Sequence, residues 1–186
     1  MLLLSVAKAD HGLRHHNVLF SDDYRQEFDD IVVRRVPAKD MTIYIARSCH
    51  TDGSQSLGDR ENWFVLVNAP ATGHASGTWH TIRDRYAEAV LTRLRGFGID
   101  PTIRAMEIRT PDDMVRMWSA DRGSLYGASS NSMFSAFLRP RQRSTRFPNL
   151  WYVGGSAHPG GGIPRVTTSG ILAAEGILNT SFPIPS

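Results

Sequence analysis

Long apolar runs are missing from this 186-residue sequence. No window approaches the roughly 18 apolar residues of a membrane-spanning helix. The opening Met1-Leu2-Leu3-Leu4-Ser5-Val6-Ala7-Lys8 is too short for a secretory leader and has no basic stretch before it. Cysteine is nearly absent. Cys49 stands alone, which excludes an internal disulfide and makes a reducing compartment the default. Cys49-His50 has no further cysteines at ligand spacing, so no metal centre is expected. Lysine is scarce, two residues against 19 arginines. Acids are missing from the whole stretch between Asp121 and Glu175, where Arg122, Arg139, Arg141, Arg143, Arg146 and Arg165 fall. That segment is +6 and the remainder −3, which together give the net charge of +3. An anionic partner is therefore sought along 122–174. Nucleic acid is not that partner, because the segment has few interleaved aromatics and no recognised module.

What is present reads as a globular chain: 41% hydrophobic and 21% charged residues exclude disorder and fibrous repeats. Residues 1–9 and about 13–20 read as strands, and the core-like first strand leads us to expect more chain upstream. Ser21-Asp22-Asp23 caps a helix with Tyr24, Phe28, Ile31 and Val32 at helical spacing. Thr42–Ala46 and Trp63–Val67 read as strands joined by a polar loop, Thr51–Arg60. A helix from about Gly77 to Arg95 places Trp79, Ile82, Tyr86, Ala89, Val90 and Leu94 on one face, and Gly96 and Gly98 stop it. Thr102–Ile108 is a short strand, and Thr110-Pro111-Asp112-Asp113 opens a third helix through Met114 to Trp118. Residues 122–149 are an irregular basic connection. The four tryptophans, Trp63, Trp79, Trp118 and Trp151, are assigned to the core.

The chain then changes texture. Leu150-Trp151-Tyr152-Val153 reads as a buried strand, followed by a glycine-rich turn, Gly154 to Pro164. A helix follows with Val166, Ile171, Ala174, Ile177 and Leu178 for burial, then a Pro-rich tail. Strand, glycine turn and helix start form an element that binds anions or cofactors. Glycines admit close backbone approach, and the unpaired amides of a helix N-terminus point outward at the positive end of its dipole. No Gly-Lys-Ser/Thr closes the turn, so it is not a phosphate-binding P-loop, and the spacing is not GxGxxG. A tight crossover whose glycines only permit packing stays open as the alternative.

Residues Asn149 to Pro164, continuing through Ser169-Gly170 and Ala173-Ala174-Glu175, resemble the C-terminal signature of bacterial-type carotenoid (phytoene) desaturases, of the amine-oxidase-like flavoprotein superfamily. His15-His16-Asn17-Val18-Leu19-Phe20, Tyr24, Glu27-Phe28-Asp29-Asp30-Ile31, Thr51-Asp52 and Leu138-Arg139-Pro140 resemble other parts of that family, in order along nearly the whole chain. Three departures stand out. Gly155 occupies a position that is usually acidic in the superfamily, though commonly small in the desaturase branch. No Pro-Pro-Gly follows Ser54. The N-terminal GxGxxG element that holds the ADP half of FAD is missing, and family members are more than twice this length.

The resemblance implies a mixed α+β fold: a substrate-domain-like sheet with helices over 1–121, the connection 122–149, and over 150–186 the strand, turn and helix of a Rossmann-like FAD-binding domain. It implies FAD as cofactor and a carotenoid or other long polyene as substrate, with hydride passing from an allylic carbon to flavin N5. Gly154, Gly155, Ser156, Gly161, Gly162, Ile163 and Pro164 are the implied cofactor contacts. His158 is a candidate proton acceptor, with a polar plug in the glycine loop as its alternative role. His15 and His16 read as local structural residues, and Arg165 at a helix start as a sign of an anionic neighbour or of exposure. Gly123 to Gly127 and Phe137 to Pro140 lean toward the branch acting on hydroxylated or methoxylated carotenoids. The expected partners are the missing N-terminal FAD-binding half and an anionic membrane, with the protein cytoplasmic and peripheral at the inner membrane surface. The chain alone is expected to be inactive. A non-catalytic apolar-ligand-binding or interaction domain derived from a desaturase is the alternative.

Overall fold

The computed structural model describes residues 1–73, 79–124 and 140–179. The chain divides into two compact units, Met1–Gly123 and Ser124–Ser186.

The first unit is built on a five-stranded antiparallel sheet of β1 (Leu2–Ala7), β2 (His16–Leu19), β3 (Ile43–Ala46), β4 (Arg60–Val67) and β5 (Ile103–Ile108), in the spatial order β2-β3-β4-β1-β5. Alternation decides which face is covered. Leu2, Leu4 and Val6 of β1, Ile43 and Ile45 of β3, and Trp63 and Val65 of β4 point to one side and are buried. They share a core with Ala87, Val90, Leu91 and Leu94 of α2 (Trp79–Gly96). The register Leu4↔Trp63 and Ile45↔Val65 sets these side chains side by side. The expected strands and helices of this unit are present, most with ends trimmed by a few residues, while β4 starts three residues earlier than expected, at Arg60. The expected start of α2 at Gly77 lies outside the described residues. Its inward face differs in detail: Ala87 and Leu91 are buried and Ala89 is exposed.

Caps fix the helices. The Asp23 carboxylate accepts from the Gln26 amide at 2.9 Å and starts α1 (Tyr24–Phe28), which continues as one π-helical turn over Asp29–Arg34. Thr110 and Asp113 form a reciprocal capping box at α3 (Pro111–Trp118), with Pro111 in the first turn. Two buried carboxylates tie elements together. Glu27 accepts from Ser21 Oγ (2.9 Å), Thr42 Oγ1 (2.6 Å) and Asn68 Nδ2 (3.1 Å). Glu61 accepts from Arg47 Nε (2.9 Å) and Cys49 Sγ (2.8 Å). The core assignment holds for Trp63 and Trp79, whereas Trp118 is 56% exposed at the end of α3 and Trp151 is half-buried.

The second unit is described over 140–179, where the helix is α4 (Ile163–Leu178). Leu150–Val153 is not a strand. Trp151 makes a single antiparallel bridge to Arg143, Tyr152 and Val153 are exposed, and no strand flanks the run among the described residues. Without a neighbouring ladder an apolar run has no place to spend its backbone hydrogen bonds. Two bonds frame the bridge, Ser144 N–H to Leu150 O and Tyr152 N–H to Gln142 O. The indole of Trp151 lies against α4 at Gly176, where any Cβ would overlap it, 2.6 Å from Cζ3.

Candidate functional site

The glycine turn runs from Gly154 to Gly162 and feeds directly into α4. Gly154 sits at φ 103°, and its amide donates to Ser169 Oγ at 3.2 Å. Ser169 is fully buried on the inner face of α4 with Ala173. One hydroxyl from the second turn of the helix therefore holds the start of the glycine turn. Ala157 is buried and its amide bonds Gly154 O, and the buried Gly160 has φ 123°. Gly155 and Gly161 are half-buried and Ser156 is exposed.

Gly162 is the N-cap of α4 at φ 98°, a conformation side chains with a Cβ rarely adopt. Its carbonyl accepts the Val166 amide at 2.9 Å, and among the described residues no side chain caps the helix. The first-turn amides have no intrahelical partner. Pro164 removes one donor, leaving those of Ile163 and Arg165 directed out of the helix end. Thr167 and Thr168 turn their hydroxyls back to the carbonyls of Ile163 and Pro164, each at 2.9 Å, and so leave these amides alone. No acid lies in the first turn. A Cβ built on Gly154 or Gly162 would meet nothing within 4 Å. The turn thus offers uncapped donors, a positive dipole end and open space over bare backbone. That suits a flat group with a negatively polarised edge. Ile163 is 85% exposed beside it, an apolar surface left without cover.

His158 is exposed. Its amide donates to Pro140 O and its carbonyl accepts from Gln142 Nε2 at 2.9 Å, so its backbone is pinned while its ring faces outward. Arg165 is exposed too. His15 Nδ1 pairs with Thr51 Oγ1 and His16 Nδ1 with Tyr44 OH, both at 2.7 Å, which joins β2 to its surroundings. Gly123 and Ser124 are described, but Leu125 to Gly127 and Phe137 to Arg139 lie outside the described residues.

In the first unit, the sheet face opposite the core carries a groove of about 490 Å³, whose walls include Leu3, Ser5, Asn62, Phe64, Ala105 and Glu107. By register Tyr44, Leu66 and Val18 share this face. The sequence does not single these residues out, because in continuous apolar runs such as Trp63–Val67 nothing local tells one sheet face from the other.

No protein-family model matches the chain. Among curated proteins it is 34% identical over 179 residues to a 1-hydroxycarotenoid 3,4-desaturase of Flavobacterium sp. (strain P99-3), covering 95% of this chain and 36% of that protein. It is 35% identical to a hydroxyneurosporene desaturase of Rubrivivax gelatinosus, covering 95% of this chain and 34% of the relative. It is 32% identical to a zeta-carotene-forming phytoene desaturase of Myxococcus xanthus, covering 96% and 35%. The chain belongs to the carotenoid desaturase family of enzymes and corresponds to its C-terminal part. It spans about a third of the length of these relatives.

Proposed function

We propose that this chain supplies the substrate-facing sheet and the flavin-contacting turn of an FAD-dependent desaturase acting on a hydroxylated carotenoid. The observation that carries the reading is the glycine turn itself: bare backbone at Gly154 and Gly162 leads into an uncapped helix start, inside a chain whose relatives are named for carotenoid desaturation. FAD, when bound, supplies the two-electron acceptor for hydride removal from an allylic carbon. The amides of Ile163 and Arg165 would hold its electron-rich edge, where a helix dipole favours the charge that accumulates on reduction. Gly154, Gly155, Ser156, Gly161, Gly162 and Pro164 would complete the cradle, with Ser169 fixing its first residue. The open sheet face around Leu3, Phe64, Tyr44 and Leu66 would lie along the polyene and keep water from it.

On this reading the N-terminal FAD-binding half is the obligatory partner. The ADP moiety would contact that half, and the 1–121, 122–149 and 150–186 segments serve as substrate layer, connection and cofactor strap. The exposed ring of His158 is available as a proton acceptor once covered. Among the described residues no helix is long and apolar enough to cross a membrane. We place the protein in the cytoplasm at the inner membrane surface, where a polyene dissolves.

The test is a chimera in which this chain replaces the matching third of the Rubrivivax hydroxyneurosporene desaturase. Flavin retention together with substrate desaturation is expected. A folded, colourless chimera would overturn the reading and favour a non-catalytic binding domain.

A further inference from the structure

Downstream of α1 the chain forms a short apolar point. The π-helical turn Asp29–Arg34 ends on Arg35 in the left-handed region at φ 57°, and the Val36 amide closes onto Asp30 O at 2.9 Å. This geometry turns Val32 and Val33 outward, 57% and 72% exposed. Single exposed aliphatics are ordinary. Two β-branched neighbours followed at once by Arg34 and Arg35 are a different pattern. From Ile31 to Lys39 the sequence has three cations and no acid.

Behind the point lies a groove of about 810 Å³ between this turn and α2. Met41 and Tyr86 give it apolar walls, and Arg34, Lys39 and Arg85 line it against a single carboxylate, Asp30. Asp30 is engaged by Arg34 at 2.5 Å, and the nearby Asp40 by Arg93 at 2.6 Å. Arg35, Lys39 and Arg85 have no ion-pair partner among the described residues. In the arginine-rich connection, to which composition pointed, two of the described arginines lie over aromatic rings. Arg143 lies over the Trp151 ring at 5.8 Å and Arg146 over Phe147 at 5.3 Å.

We propose that the Val32-Val33 point and its cationic groove dock the protein on an anionic phospholipid bilayer. The two valines enter the interfacial layer, while Arg35, Lys39 and Arg85 meet lipid phosphates. The observation that selects a bilayer is charge complementarity combined with size. Two valines cover far less than the roughly 800 Å² per partner of a stable protein interface. A shallow apolar point with a collar of unpaired cations suits a fluid anionic surface, where each cation and each buried methylene adds to binding. The proposal deepens the membrane part of the proposed function, and its readout does not involve flavin, so either can fail without the other.

The experiment is co-sedimentation of the full chain with phosphatidylcholine vesicles, with and without phosphatidylglycerol. Binding is expected only with the anionic lipid. Val32→Ser/Val33→Ser and Lys39→Gln/Arg85→Gln should each weaken it about tenfold, and Arg141→Gln/Arg143→Gln/Arg146→Gln less than about threefold. Circular dichroism checks that the variants fold. Val33→Trp supplies an independent reading, an added fluorescence component that shifts to the blue on anionic vesicles alone. Tip variants that bind like the parent would overturn the proposal. So would loss of binding in the 141/143/146 variant, or light scattering that shows Val33→Ser dissolving a dimer without lipid.

Discussion

The two units bury polar groups on different scales. In the first, Glu27, Glu61 and Asp113 are all buried, and each is held by donors from other parts of the chain or from its own helix cap. Around them a continuous apolar core runs from β1 to α2. In the described part of the second, Ser169 is the buried polar side chain, and Ala157 and Ala173 are the buried apolar ones. Val153, Ile163, Ile177 and Leu178 are left exposed there. The first unit is organised by its own side chains. The described part of the second rests on a few small contacts, Gly154 on Ser169 and Trp151 on Gly176, and leaves apolar side chains exposed.

Substitutions sharpen that contrast. Trp63→Ala should be the most damaging, because it empties the middle of the first unit's core. A loss of about 3–5 kcal/mol is expected in chemical denaturation, felt by the first unit. Gly176→Val should cost about 1–3 kcal/mol by overpacking against Trp151. Faster amide exchange should be confined to 163–178, with the β1–β4 amides unchanged. If both substitutions melted both regions equally, the two-unit description would be wrong.

Acid should discriminate as well. Burial pushes the Glu61 carboxyl up, but hydrogen bonds from Cys49 and Arg47 and the Arg47 charge outweigh it and leave it below the usual range. Burial likewise raises Asp113, and the Thr110 bonds with the Arg116 and Arg83 charges outweigh it. A depressed carboxylate adds stability that is complete above its unfolded value and disappears as pH falls through its folded one. Denaturation midpoints of the first unit should therefore drop below the normal carboxylate range, about pH 4. The Glu61→Gln/Asp113→Asn variant should show a flatter profile, and an unchanged slope would contradict these assignments.

Much of the first unit was legible because its signals are local. The apolar runs Leu2–Val6 and Trp63–Val67, the Asp23 cap and the Thr110-Pro111-Asp113 box each specify structure within a few residues. Glu27 and Glu61 were not legible as buried anchors, since their partners Asn68 and Arg47 lie 41 and 14 residues away. Leu150–Val153 misled because an apolar run becomes a strand only beside another strand. Trp118 misled because aromatic character does not reveal which side of a short helix is covered. The glycine turn was visible from composition and resemblance, whereas Ser169 as its anchor required the fold.

The reduction potential and flavin occupancy of a Gly162→Val variant, made in the flavin-loaded chimera, test the central claim most directly. Gly162 holds φ 98° at the N-cap of α4, and its side-chain-free face opens onto space. A β-branched residue there should displace the amides of Ile163 and Arg165 from the flavin edge. On the proposed reading those amides would stabilise the reduced form more than the oxidised one. The account therefore predicts weaker FAD retention and a lower potential in the variant. Full occupancy with an unchanged potential would show that the turn serves packing alone.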